Sequence, residues 1–346
     1  MVVDNRCQAG ETNVSSLENR NPTMPEPHDV GGLDLGAIDQ MPHDPTIFER
    51  RVDAMVRFLI RDRQLFTTDA LRRSVEDLPA AAYVGLSYYE RWLHGLTALL
   101  LESGSLTETQ LDSRRADVAQ RMAVAYDGSG DQDAKHGSAA TSHADHAAIE
   151  HDHQPPNEHE VLGEAIRELG IETGLFSGAD IHRLIEQVEA SVPTHGPRLV
   201  ARAWTDPDFM NAVIDDARAA ANLLGVDLTD TTALQAVVNT TDTHHLVVCT
   251  LCSCYPRALL GLPPAWYKSR EYRARAVKDP RGVLAEFGTI LPETTHIKTV
   301  DSTADLRYFV IPQRPGGTDG MDAGDLEALV SRDSMIGVAT ALSPLG

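Results

Sequence analysis

The stretch Val248-Cys249-Thr250-Leu251-Cys252-Ser253-Cys254-Tyr255 constrains this chain more than any other. Of only four cysteines in 346 residues, three fall within six positions, in the spacing C-x-x-C-x-C. Thiolates are soft ligands that suit late transition metals. Helical neighbours on one face are three or four residues apart, so these three sulfurs cannot share a helix face. They converge if the chain closes a tight loop around one point, and the backbone amides of Ser253 and Cys254 then face the same centre. Pro256, Gly261, Pro263 and Pro264 follow closely and leave no room for a long regular element. The residues alone leave three readings open: a metal claw, a redox pair, and half of a zinc site. A structural zinc site normally takes four ligands, and no second cysteine pair exists here. A metal-storage or thiol-redox protein without catalytic activity is the corresponding non-enzymatic reading.

The length admits two domains or one large one, and 42% apolar residues suffice for real cores. A formal net charge of −21 argues against nucleic acid or an anionic membrane surface as partner. No apolar run reaches the length of a membrane span, and the start of the chain lacks the basic-then-apolar pattern of a signal peptide. Clustered cysteines without a disulfide-framework spacing point to a reducing compartment, so the expectation is a cytoplasmic protein.

Along the chain, residues 1–25 are polar and aperiodic and read as a disordered tail that carries the bystander Cys7. Gly31-Gly32 marks a turn. Apolar residues at Ile47, Val52, Met55, Val56, Leu59 and Ile60 predict a helix over 46–63. Thr67-Thr68-Asp69 is a candidate cap for a helix over 70–78. Pro79 opens another that carries Tyr83, Tyr88, Tyr89 and Trp92, and residues 106–125 continue helical. The block 26–126 therefore reads as all-α. Residues 127–160 form a low-complexity linker holding six of the fourteen histidines: His136, His143, His146, His151, His153 and His159. Such tracts can bind metal ions, although a solvated tether is the plainer reading. Over 161–346 the pattern predicts a helical arm, a helix over 197–204 and one from Asp206 to Leu224. Strands are expected around Val237 and Leu246–Val248, over 297–300 and over 306–311, then a helix over 323–330 and a closing strand over 334–340. The fold class expected is α+β: an all-α N-terminal domain, a His-rich linker, then a helical arm with a layered α/β core.

The run from Val247 to Gly288 that contains the cysteines resembles the metal-binding region of the nitrile hydratase α subunit. The resemblance continues through Asp301-Ser302-Thr303-Ala304-Asp305-Leu306-Arg307-Tyr308, Arg314 to Gly320 and Arg332 to Gly337. Upstream it takes in Gly196 to Trp204 and Asn239-Thr240. Arg257-Ala258 is a departure, since the family commonly has Trp-Pro there. The earlier block is similar to the N-terminal half of the nitrile hydratase β subunit, in His28-Asp29-Val30-Gly31-Gly32-Leu33, Leu71 to Glu76, Tyr83 and Ser87 to Trp92.

The resemblance implies a single non-corrin, low-spin cobalt(III), with iron(III) as second choice, held by Cys249, Cys252, Ser253 and Cys254. Thr250 favours cobalt, because the iron form commonly has serine there. It implies oxidation of Cys252 to sulfinate and Cys254 to sulfenate, two rungs of the thiol oxidation ladder. Arg72 would then hydrogen-bond the oxidised sulfurs, Glu76 would orient Arg72, and Tyr88 and Trp266 would shape the pocket. Cys254 would carry the nucleophilic or basic oxygen. The implied reaction is hydration of a small nitrile to an amide, a lyase activity, with a thiocyanate hydrolase-like enzyme as alternative. No counterpart of the C-terminal β-barrel half of the β subunit is found. A separate small subunit is therefore the expected partner in a hetero-oligomer, and a metallochaperone or activator is a further one.

Overall fold

A computed structural model describes residues 27–129, 156–190, 195–226, 233–251 and 253–344. The expected tail with Cys7, most of the His-rich tract, and Cys252 lie outside the described residues.

The first helix, α1 (Ile47–Arg57), starts where Thr46 and Glu49 cap each other reciprocally. It does not run on regularly to residue 63. It passes into a π-helical turn, Phe58–Asp62. Then come α2 (Thr68–Glu76), α3 (Ala80–Gly85), α4 (Tyr88–Glu102) and α5 (Glu108–Ser129). Thr67 caps α2, and a Ser87–Glu90 capping box opens α4. Next are α6 (Glu158–Glu172), with its Asn157 cap, and α7 (Gly178–Ala190).

The apolar faces of α6 and α7 do not form a separate arm. Leu162, Ile166, Leu169, Ile181 and Leu184 join Val52, Met55, Leu59, Leu93, Leu96 and Leu100 in one buried cluster. The His-rich tract thus joins elements of a single helical unit. Cross-helix ion pairs Arg114–Glu168 (3.2 Å) and Arg121–Glu168 (2.8 Å) lie over the α5–α6 seam.

The second unit begins with α8 (His195–Thr205), α9 (Pro207–Asp215) and α10 (Ala217–Leu223). The single helix expected from Asp206 to Leu224 is broken at Asp216. That carboxylate accepts from the amides of Arg218 and Ala219 at 3.0 Å each and so caps a new helix. Strands β1 (Ala233–Val238) and β2 (Thr243–Val248) follow. After them come the short α11 (Arg257–Leu260) and α12 (Ala265–Lys268), then α13 (Arg270–Lys278) and α14 (Pro280–Glu286). Strands β3 (His296–Asp301) and β4 (Leu306–Ile311) and helices α15 (Ala323–Ala328) and α16 (Arg332–Ile336) complete the chain. The closing strand expected over 334–340 is not present. Ser331 caps α16 instead, and Gly337 then turns left-handed (φ +94°) so closely against the His245 carbonyl that no Cβ would fit.

The strands pair in parallel, β1 with β4 and β2 with β3, as two small two-stranded sheets. The layered α/β core expected from sequence is therefore a helical shell around these pairs, with Leu246, Val247, Val248, Phe309, Val310 and Ile311 in its centre. The β2–β3 register sets Val248 opposite Asp301, which fixes the chain as it leaves β2. Residues 27–43 run along this unit before entering α1: the Gly32 amide donates to the Ala274 carbonyl (3.1 Å) and that of Ile38 to the Glu286 carboxylate (3.2 Å). Two buried contacts tie the units together. Arg257 donates to Asp53 at 2.7 and 3.0 Å, and the Lys268 ammonium sits 4.6 and 5.1 Å from the Tyr89 and Tyr88 ring centres. Among the described residues no helix is long and apolar enough to cross a membrane.

Candidate metal centre

The cysteine loop leaves the carboxyl end of β2, where parallel strands open a crevice. Its backbone is anchored residue by residue. The Ser302 amide donates to the Val248 carbonyl (2.7 Å). Asp301 accepts from both the amide (3.0 Å) and the hydroxyl (2.6 Å) of Thr250. Arg273, 1% exposed, donates from Nη2 to the Thr250 and Leu251 carbonyls at 2.6 Å each. The Tyr267 hydroxyl donates to the Cys254 carbonyl (2.9 Å), and that of Tyr272 to the Val247 carbonyl (2.6 Å). Burial lifts Tyr267 well above the usual phenol range, with the nearby Cys249 thiol adding to the effect. Burial also raises the Asp301 pKa.

Cys249 and Cys254 are buried, at 1% and 7% exposure. Between the second and third cysteines the chain takes a left-handed turn: Ser253 has φ +63°. A non-glycine residue held there costs on the order of 1–3 kcal/mol, and such strain gathers at functional sites. The Ser253 hydroxyl is buried and has no hydrogen-bond partner among the described residues.

Leu251, Ser253 and Cys254 form part of the wall of a cavity of about 360 Å³ between the two units. The helical unit contributes Arg72, Glu76 and Tyr88 to the same wall, together with Leu71, Val75 and Trp92. Five of the residues that sequence singled out, Ser253, Cys254, Arg72, Glu76 and Tyr88, thus meet at one space. Arg72 pairs with Asp69 on the preceding turn (3.4 Å). Its neighbour Arg73, 51% exposed, points outward to Asp77 and Glu102. Trp266 is a correction, for it does not line the cavity. The short α12 turns its indole inward against Phe287 (ring centres 4.7 Å apart) and Tyr272 (4.9 Å), so it is a core residue. Trp92, whose ring lies 5.0 Å from that of Tyr88 and is inclined 40° to it, is the tryptophan that lines the space.

Among the described residues that line the cavity, seven are arginines and one, Glu76, is acidic. Arg57 and Arg61 come from the end of α1 and its π-helical turn, Arg91 from α4, Arg257 from α11, Arg273 from α13 and Arg307 from β4. Sequence reasoning passed over most of these, because an arginine's direction is set by tertiary packing and not by its spacing. Burial and the neighbouring Arg257 lower the pKa of Arg57, and burial followed by Arg57 does the same to Arg61. For Arg257 burial opposes the charge, yet Asp53 more than offsets this and the pKa rises. Arg273 Nε and Arg307 Nη1 are buried without a partner among the described residues.

This arrangement fits a thiophilic cation with anionic oxygens around it. Buried sulfurs in a strained loop suit a late transition metal, and buried guanidinium N–H groups without acceptors suit the oxygens of oxidised thiols.

Comparison with known proteins agrees with both halves of this picture. The family described as nitrile hydratase, alpha chain, matches residues 157–339, and the family described as nitrile hydratase beta subunit, N-terminal, matches residues 24–149. The high-molecular weight cobalt-containing nitrile hydratase subunit alpha of Rhodococcus rhodochrous is 48% identical over 189 residues, covering 54% of this chain and 93% of that one. The thiocyanate hydrolase subunit gamma of Thiobacillus thioparus is 44% identical over 191 residues, covering 52% and 79%. A solved structure of recombinant thiocyanate hydrolase with partially modified cobalt centres superposes with a TM-score of 0.52 at 42% identity, over 55% of this chain and 92% of that one. An α-type metal-binding unit preceded in the same polypeptide by a β-type helical region places the chain in the nitrile hydratase family as a fusion of α-chain and β-subunit N-terminal parts.

Proposed function

We propose that this chain is the metal-bearing component of an enzyme that hydrates a C≡N bond, converting a nitrile to an amide. The observation that carries this reading is the cysteine loop, anchored at the end of β2 and turning left-handed at Ser253, that opens Cys254 onto a cavity of about 360 Å³. Cys249, Cys252, Cys254 and the amides of Ser253 and Cys254 would hold a low-spin, non-corrin cobalt(III). When bound, it supplies a Lewis acid that polarises the C≡N carbon.

The chain's own residues do the rest. Cys252 as sulfinate and Cys254 as sulfenate would supply acceptor oxygens, and the Cys254 oxygen would either take a proton from the water that adds to the C≡N carbon or add to that carbon itself and be replaced by water. The Arg72 fork holds that oxygen ionised, since a guanidinium beside it favours the anionic form. Glu76, one turn further along α2, limits the swing of Arg72. Tyr88 and Trp92 provide an aromatic wall against which a small substrate lies. A second reading, hydrolysis of thiocyanate, is favoured by the arginines around the cavity, because thiocyanate is an anion.

The family match in the first half is to the N-terminal part of a β subunit alone. The proposal therefore includes a separate small polypeptide, similar to the C-terminal β-barrel half, in a hetero-oligomer. Incubating the purified complex with small nitriles and with thiocyanate, and following amide, ammonia and carbonyl sulfide, tests the reading. Amide formation supports nitrile hydration, and carbonyl sulfide with ammonia supports the second reading. A cobalt-loaded complex that produces none of these contradicts both.

A further inference from the structure

Away from the cavity, one pair of side chains is arranged for a ligand that the proposed reaction does not use. His94 on α4 and His159 on α6 meet edge to face, with Nε2 of His94 3.3 Å from Nδ1 of His159 and the ring centres 5.3 Å apart. Two imidazoles can share a proton there, but the contact is longer than an ordinary hydrogen bond. It matches the spacing that a metal sets. Two nitrogens about 2.05 Å from a tetrahedral zinc stand about 3.3 to 3.4 Å apart, with their ring centres about 5.2 Å apart. The far side of His159 is also prepared, since its Nε2 faces the Glu90 and Glu158 carboxylates at 3.8 and 3.7 Å. A carboxylate behind the non-ligating nitrogen is the usual companion of a metal-binding histidine, because it fixes the tautomer that frees the other nitrogen. Here that leaves the Nδ1 lone pair of His159 facing His94. Glu90 is held in place, for its Oε2 accepts from the Ser87 amide (2.7 Å) in the capping box that opens α4. The side chains of His159 and Glu90 are only 16% and 20% exposed.

We propose that His94 Nε2 and His159 Nδ1 bind a divalent late transition cation of the zinc type, and that the ion clips α4 to α6. Imidazole suits such ions. No group of three or more His, Cys, Asp and Glu side chains gathers for a metal among the described residues, so water completes the coordination. Helix α4 lies in the part that matches the β subunit and α6 in the part that matches the α chain, so the ion bridges the two parts of the fusion. The proposal is independent of the reaction proposed above.

The test is zinc binding by the full-length purified chain, followed by equilibrium dialysis with elemental analysis and by thermal melting. The other histidines of the tract and the cysteine loop can also take zinc, so the reading is the difference from His94→Gln, which leaves both intact. The expected result is one zinc per chain more in the native protein than in His94→Gln. Zinc should also raise the melting temperature of the native protein by about 2 °C or more, a rise that the variant lacks. Glutamine keeps the cap at Glu90, so the double variant Glu90→Gln/Glu158→Gln removes only the charges behind His159. It should weaken that zinc about tenfold. Equal zinc content and equal zinc-dependent melting in the native protein and folded His94→Gln would overturn the proposal and assign the zinc to the tract or the loop. If His94→Gln does not fold, the double variant decides: weakened zinc binding supports the clip, and unchanged affinity overturns it.

Discussion

At the scale of single residues, Ser253 stands out by its backbone and Arg72 by its place on the cavity wall. Ser253 is one of two non-glycine residues with positive φ among the described residues, and it sits between Cys252 and Cys254. Arg72 and Arg73 are neighbours on α2, yet Arg72 lines the cavity and Arg73 faces outward to Asp77 and Glu102. Replacing Arg72 by lysine keeps the charge and removes the planar fork. Arg72→Lys is expected to lower kcat/KM at least about tenfold, the loss of a charge-assisted hydrogen bond, with little change in melting temperature. Arg73→Lys should leave both nearly unchanged, and equal losses at the two positions would mean that the fork has no special role. The cysteine cluster was legible from residue type and spacing, whereas the α2 and α4 residues were singled out by their resemblance to the β subunit. Trp266 was misread because a tryptophan near a metal loop looks the same in sequence whether it faces the cavity or the core. The burial of its ring among Tyr272 and Phe287 decides the matter. Arg57, Arg257 and Arg307 were not read as one wall, because they come from three elements that only the packed chain brings together.

At the scale of elements, helix positions followed from caps and apolar period, and the departures have local causes. Asp216 breaks one expected helix by capping the next. Gly337, pressed against the His245 carbonyl, ends α16 where a strand was expected. The elements that join the two units also carry buried charge. Asp53→Asn should leave Arg257 buried beside an uncharged partner and lower stability by about 3 kcal/mol. The double variant Asp53→Leu/Arg257→Leu should lose less, and thermal melting of the three proteins compares them. Lys268, 8% exposed, is pushed down to about 8 by burial from an ordinary value of 10.5. Between those values the unfolded chain binds more protons than the folded one, so this group makes stability rise with pH from about 8 to about 10.5. The rise should amount to about 3 kcal/mol if the shift is fully expressed. Denaturant unfolding across that range should show the slope in the native chain and lose it in Lys268→Met.

For the molecule as a whole, the family boundaries and the cores do not coincide. The α-type match begins at residue 157, yet α6 and α7 pack into the helical core built by α1 and α4. The fusion thus joins parts that already share an apolar interior, and the cavity forms where this helical unit meets the cysteine loop. Pattern and composition reveal two kinds of unit, but they cannot show that a later segment completes an earlier core, because apolar faces carry no address. The first-half match is to the N-terminal part of a β subunit alone, so the purified chain without the proposed small barrel-like partner is expected to be nearly inactive. Adding that polypeptide should restore turnover, while full activity of the single chain would remove the need for it. The most direct test of the metal claw is metal analysis together with peptide mass spectrometry of the active complex. The expected result is one cobalt per chain, with Cys252 as sulfinate, Cys254 as sulfenate and Cys249 unmodified. Active protein with unmodified thiols at both Cys252 and Cys254, or without a bound transition metal, would contradict it.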